Sequence, residues 1–196
     1  MKIVILAKSN KRRNNGNYGK CVAGLNADGD WIRLVSNESG DSLADKDCRH
    51  FECLDVIDVD ATEAPLEYQP ENMILEHLNR KIGQLPIERI IEKFGTSDDK
   101  YCFINSNHLL SEREMKRTDN SLKLFDVKNL HIYKNDNNSY KADFEYKGIH
   151  YNNFSMTAPC HFKEYTYDNA YIVVSIPPRD GGYSGYYKFV AAIYPI

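Results

Sequence analysis

The chain of 196 residues has no long apolar run. Its opening stretch, Ile3–Ala7, meets Lys8 too soon for a signal-peptide core, and no window reaches the length of a membrane helix. Metal-binding spacing is missing as well. The five cysteines, Cys21, Cys48, Cys53, Cys102 and Cys160, are odd in number and form no Cys-x-x-Cys pair, which argues against a structural zinc or a disulfide framework. Reduced thiols and a cytoplasmic location are the expectation. Gly16 and Gly19 lack the Gly-Lys-Ser/Thr ending of a phosphate loop. No strand–nucleophile–helix elbow surrounds Cys102 or Cys160, although His108 and His161 are available as bases. Asp55, Asp58 and Asp60 are the acids a metal-dependent nuclease would use, but no Glu-x-Lys signature follows them, and a solvated strand face is the plainer reading. No metal, no cofactor and no catalytic residue is expected, so the chain reads as non-catalytic.

Tryptophan is also scarce, with Trp31 alone, whereas tyrosine is abundant at fourteen, beside eight Phe. That balance leans toward sheet. Strand signals fall at Ile3–Leu6, Cys21–Leu25, Trp31–Ser36, Phe51–Val59, Tyr101–Asn105, Leu122–Tyr133, Tyr140–Tyr146, Ile149–Met156, Tyr171–Ile176 and Tyr186–Tyr194. The Asp28-Gly29 step marks a hairpin turn. Residues 61–80, carrying Pro65 and Pro70, read as irregular, with a short helix starting near 71 as the alternative. Residues 111–120 are a surface helix or loop. The clearest helix is Pro86–Phe94: Ile87, Ile90, Ile91 and Phe94 share one face, Pro86 opens it and Gly95 stops it. Residues 95–99 are polar and mark a boundary between units 1–97 and 98–196.

Charge is unevenly spread. Residues 1–36 hold seven cations against two acids, while residues 37–67 hold ten acids against Lys46 and Arg49. Lys11, Arg12, Arg13 and Lys20 gather on the loop between the first two strand signals, with Ser9 and Tyr18 beside them and Trp31 and Arg33 following. Cations suit phosphates and flat rings suit bases. The plainer reading is a solubilising loop beside a core Trp. A second, glycine-rich loop carries Arg179, Tyr183, Tyr186, Tyr187 and Lys188, as an aromatic rim or as a hairpin packed on its own barrel.

Several stretches taken together resemble one family. Leu6–Arg13, Lys20–Ser36, Cys53–Val59, Tyr68-Gln69-Pro70-Glu71-Asn72, Tyr171–Pro178 and Gly185–Pro195 follow, in order and over nearly the whole chain, the pattern of the prokaryotic dual OB-containing domain. The loop Lys11–Tyr18 departs from that pattern in being longer and more basic. The resemblance implies a mainly β protein of two OB-like small barrels, from bacteria, in a defence or mobile-element setting. It also implies that Ser9, Cys21, Gly24, Trp31, Arg33, Ser36, Asn72, Ser175, Tyr187 and Lys188 recur in the family. Barrels of this type commonly bind single-stranded nucleic acid on one face and its loops. The expected ligand is therefore single-stranded DNA or RNA, or a nucleotide-like molecule, met by Ser9, Lys11, Arg12, Arg13, Tyr18, Lys20, Trp31, Arg33, Tyr183, Tyr187 and Lys188. The alternative is a protein-interaction or small-nucleotide sensor module that uses the acidic 37–67 surface.

Overall fold

A Cβ on Gly24 would lie 2.0 Å from the carbonyl oxygen of Val4, so glycine is required where the first two strands cross most closely. These strands, β1 (Lys2–Arg12) and β2 (Tyr18–Asn26), pair antiparallel with a register shift between Ile5 and Ala7 beside that glycine. A bulge of this kind bends and twists the ribbon, which starts barrel closure. The computed structural model describes residues 1–12, 18–159, 165–177 and 185–196. At the expected hairpin, the Asn26 side-chain oxygen accepts the N–H groups of Asp28 and Asp30, both at 2.9 Å, and Gly29 takes φ +92° before β3 (Trp31–Val35).

After the one-turn helix α1 (Asp45–Cys48), β4 (Asp55–Glu63) and β5 (Asn72–Gln84) complete a closed barrel in the order β1-β2-β3-β5-β4. Only β3 and β5 run parallel; the other neighbours are antiparallel. Ile3, Ile5, Val22, Leu34, Phe51 and Ile57 fill the interior. The stretch read as irregular contains a long strand instead, because β5 pairs with β4 from Asp55 opposite Gln84 to Glu63 opposite Met73. Helix α2 (Ile87–Phe94) starts one residue later than expected, with Pro86 as its extended N-cap, and ends where expected, with Gly95 donating its N–H to the Ile91 carbonyl at 2.8 Å.

The chain divides into two compact units, Met1–Gly95 and Thr96–Ile196. The second opens with β6 (Leu109–Leu110) and α3 (Glu112–Met115). It then forms β7 (Leu122–Lys134), β8 (Tyr140–Tyr146), β9 (Ile149–Met156), β10 (Tyr165–Ser175), β11 (Tyr186–Tyr187) and β12 (Phe189–Pro195). Strands β10-β12-β9-β8-β7 close a second barrel, again with one parallel pair, β9 beside β12. Renumbered within its unit, each barrel follows the same circuit, with its third and fifth strands parallel. Two OB-like barrels result. β11 pairs with β6 outside the barrel, and the expected strand at 101–105 is only a Tyr101–Phe103 bridge.

Much of the tyrosine excess is structural in this second unit. The Phe144 ring stacks on Tyr151 at 5.1 Å and meets Phe154 edge-on at 5.1 Å. Tyr151 accepts the Cys102 N–H at 2.9 Å, and Tyr146 donates to the Asp99 carbonyl at 2.7 Å. Burial holds both phenols up at about 12, so they remain protonated.

Candidate nucleic-acid interface

Several cations that look like surface contacts in the sequence are internal. Lys8 projects over the Phe51 ring and donates to the Phe51 carbonyl at 2.7 Å and to Glu52 at 2.8 Å. Arg33 is buried on the outward side of β3, where its Nε lies 3.3 Å from Glu71 and its Nη1 2.8 Å from the Cys21 sulfur. Burial opposes its charge, but Cys21 and Glu71 outweigh burial and raise the guanidinium pKa. Buried Ser9 pairs across the strands with Cys21, and buried Asn72 pairs across them with Arg33. Of the positions implied by the resemblance, Ser9, Cys21, Arg33 and Asn72 thus form one polar layer over β1, β2, β3 and β5. Ser9 and Arg33, both expected at a ligand, are buried, and Arg33 joins β3 to Cys21 on β2 and to Glu71 just before β5.

Lys188 is internal too. Its ammonium donates to the carbonyls of Cys102 and Asn105 at 2.6 and 2.7 Å and to the Asn105 side-chain oxygen at 2.9 Å. Asn105 in turn donates to Glu114 at 2.9 Å, and Glu114 closes a capping box with Ser111 at the start of α3. The Tyr187 ring stacks on His108 at 6.0 Å. Lys188 and Tyr187 therefore fasten the end of the β10–β12 connection to residues 102–114. Tyr183, like Arg13, lies outside the described residues.

Hydrogen bonds from the Ser111 backbone, the Ser111 hydroxyl and Asn105 hold the Glu114 carboxyl down at about 2, against an ordinary 4.5. Because the folded value is the lower one, the stabilisation is complete above 4.5 and disappears as pH falls from there toward 2. An NMR titration of the Glu114 carboxyl carbon should find its midpoint near 2. A midpoint at the ordinary value would reject the capping box.

Tyr18 is 78% exposed, and Lys20 donates to the side chain of Asn10. Lys11 and Arg12 end β1 opposite Gly19 and Tyr18, while Trp31 is half-buried opposite Leu25.

A half-buried, outward-facing aromatic pair lies on the second barrel, at residues the sequence reading missed. Alternation along β7 sends Leu130 and Ile132 into the core and leaves His131 and Tyr133 outside. Their rings stack at 5.1 Å and 21°. Across the sheet Tyr133 opposes Lys141, and Lys141 opposes Ser155 and donates to it at 2.9 Å. In the next row His131 opposes Asp143, which accepts the Tyr133 hydroxyl at 3.2 Å and the Asn153 N–H at 2.7 Å. Burial and then Asp143 raise the Tyr133 pKa, keeping that donor protonated. Two rings, a lysine, the Asp143 carboxylate and neutral hydrogen-bonding groups thus share the outer surface of three adjacent strands. In the first barrel the matching surface is closed by Arg33 and Glu71.

The family model described as the dual OB-containing domain matches residues 1–193. The chain belongs to that family. No curated protein and no solved structure matches it. In this dual OB chain the acids suggested for a nuclease have separate partners. Asp55 is fully buried, not solvent-facing as its alternation implied, and is paired with Lys81 at 2.8 Å; Asp58 meets the N-terminal ammonium at 3.5 Å; Asp60 accepts from Asn79. Asp41 is buried as well, while Glu38, Asp45, Asp47, Glu52, Asp60, Glu63 and Glu67 of the acidic 37–67 stretch are exposed. Burial pushes the Cys102 thiol up to about 12 and Cys48 to about 11, which suppresses the nucleophilic thiolate at neutral pH. Among the described residues no helix is long and apolar enough to cross a membrane.

Proposed function

We propose that this dual OB chain is a non-catalytic recognition module for single-stranded nucleic acid, and that the second barrel's outer face receives the bases. The observation that carries the reading is the stacked His131–Tyr133 pair beside Lys141 on the first three strands of an OB-type barrel. A base stacks on an aromatic ring without regard to its sequence, which suits a platform with few fixed hydrogen-bond donors. Lys141 meets a phosphate, and Ser155 and Asn153 supply neutral contacts to sugar or base. In the first barrel the exposed Tyr18 offers a separate ring for a base, and Lys11, Arg12 and Arg13 are its expected companions from the sequence.

Titration of labelled oligothymidylate and oligouridylate, followed by fluorescence anisotropy, tests this. Affinity should fall steeply between about 50 and 200 mM salt as phosphate contacts release counterions. Tyr133→Ala should weaken binding by about 10-fold or more, since one stacked base contributes about 1–3 kcal/mol, with the salt slope unchanged. Lys141→Ala should lower that slope by about one unit. Binding that ignores both salt and Tyr133 rejects the platform.

A further inference from the structure

Helix α2 leaves an apolar cleft of about 180 Å³ between itself and the outer side of the first barrel. Its walls come from Val4, Leu25, Val56, Ile90 and Phe94, and the exposed Leu85 extends it. Its charged lining residues are Lys2, Arg89 and Lys93, with no carboxylate among them. Lys93 donates to the Ala27 carbonyl at 3.1 Å while lying 4.6 Å over the Phe94 ring, which leaves its charge unneutralised. Arg89 pairs with Glu92 at 2.7 Å, but both side chains are well exposed. An exposed pair of this kind contributes little and exchanges readily for another carboxylate.

We propose that this cleft docks an acidic segment of a protein partner through one large apolar side chain. Size supports a single anchor, since an apolar cavity of about 150 Å³ accommodates one benzene ring. Charge supports an acidic flank, because a cationic mouth around an apolar floor attracts carboxylates while the floor gains from displacing poorly bound water. A nucleobase fits badly: its polar edges would lose their hydrogen bonds against aliphatic walls. The site lies on the first barrel and makes no use of the His131–Tyr133 platform.

The test is anisotropy of a fluorescein-labelled peptide carrying one Phe between Asp and Glu residues, added to the full chain, with methyl NMR of Leu85 and Ile90. Binding at roughly 10–100 µM, weakened by salt, is expected, with shifts at both methyls. A peptide with Phe replaced by Ala should bind about 10-fold more weakly or worse. Ala27→Trp fills the cleft from an exposed turn, and Lys2→Glu with Lys93→Glu reverses the charge of its mouth; each should abolish peptide binding and leave oligonucleotide binding intact. Unshifted methyls, indifference to the Phe, or unchanged binding by Ala27→Trp overturns the proposal. So does an oligonucleotide that shifts the same methyls and displaces the peptide, or self-association in sedimentation that Lys93→Glu removes.

Discussion

Replacing Arg33 by alanine is expected to lower the stability of the first barrel by about 3–5 kcal/mol while leaving the salt slope of oligonucleotide binding unchanged. The reason is the partner left behind. The Glu71 side chain is 3% exposed, so its carboxylate stays buried after losing the guanidinium 3.3 Å away. Arg33→Lys keeps the charge but not the planar fork that reaches Glu71 and Cys21 together, and should fall between wild type and alanine. Arg33→Met with Glu71→Leu removes both charges at similar volume and should recover most of the loss. Urea unfolding of the four proteins checks the order. An alanine variant that unfolds like wild type yet loses oligonucleotide affinity would return Arg33 to the binding surface.

The sequence cannot show this role because the partners are distant along the chain. Arg33 and Glu71 are 38 residues apart, and Lys188 lies 86 residues from Cys102. A cation in a polar stretch looks solvated until the fold brings a second stretch over it. The same non-locality hid β5. Met73, Ile74, Leu75, Leu78 and Ile82 repeat at helix-like intervals, and the far half of the strand is exposed, so no period of two appears. Pairing with β4 decides its conformation, as tertiary context commonly overrides local preference.

Local signals were legible. Pro86 and Gly95 delimit α2, and the Asp28-Gly29 step makes its turn, because both rest on backbone preferences of single residues. The resemblance supplied the two-barrel architecture, which composition alone left at sheet-rich. Along β7 the alternation was visible, yet nothing in it distinguishes an outward face that stays open from one covered by a loop. His131 and Tyr133 are half-buried while Arg33, also outward, is buried against Glu71 just before β5.

Lys188→Met is expected to destabilise the second barrel by on the order of 3 kcal/mol near neutral pH, since three oxygens lose their donor and each buried unpaired acceptor costs about 1–3 kcal/mol. Methionine keeps the length and apolar stem, which isolates the ammonium as the cause. The pH dependence gives a second, independent readout. Burial pulls the Lys188 ammonium from 10.5 down to about 8. With the folded value below the unfolded one, the unfolded chain holds the proton more tightly between those limits. Wild-type stability measured against Lys188→Met should therefore rise as pH climbs from 8 toward 10.5, by about 3 kcal/mol in full. Subtracting the variant cancels the tyrosines, which both proteins share. Amide exchange at Leu110 and Tyr186 should quicken in the variant, because Lys188 fastens the β6–β11 pair through its backbone N–H to His108 and its side chain to Asn105. A wild-type advantage that shrinks with rising pH would mean that the three oxygens hold the proton more strongly than burial expels it, reversing the sign argued here.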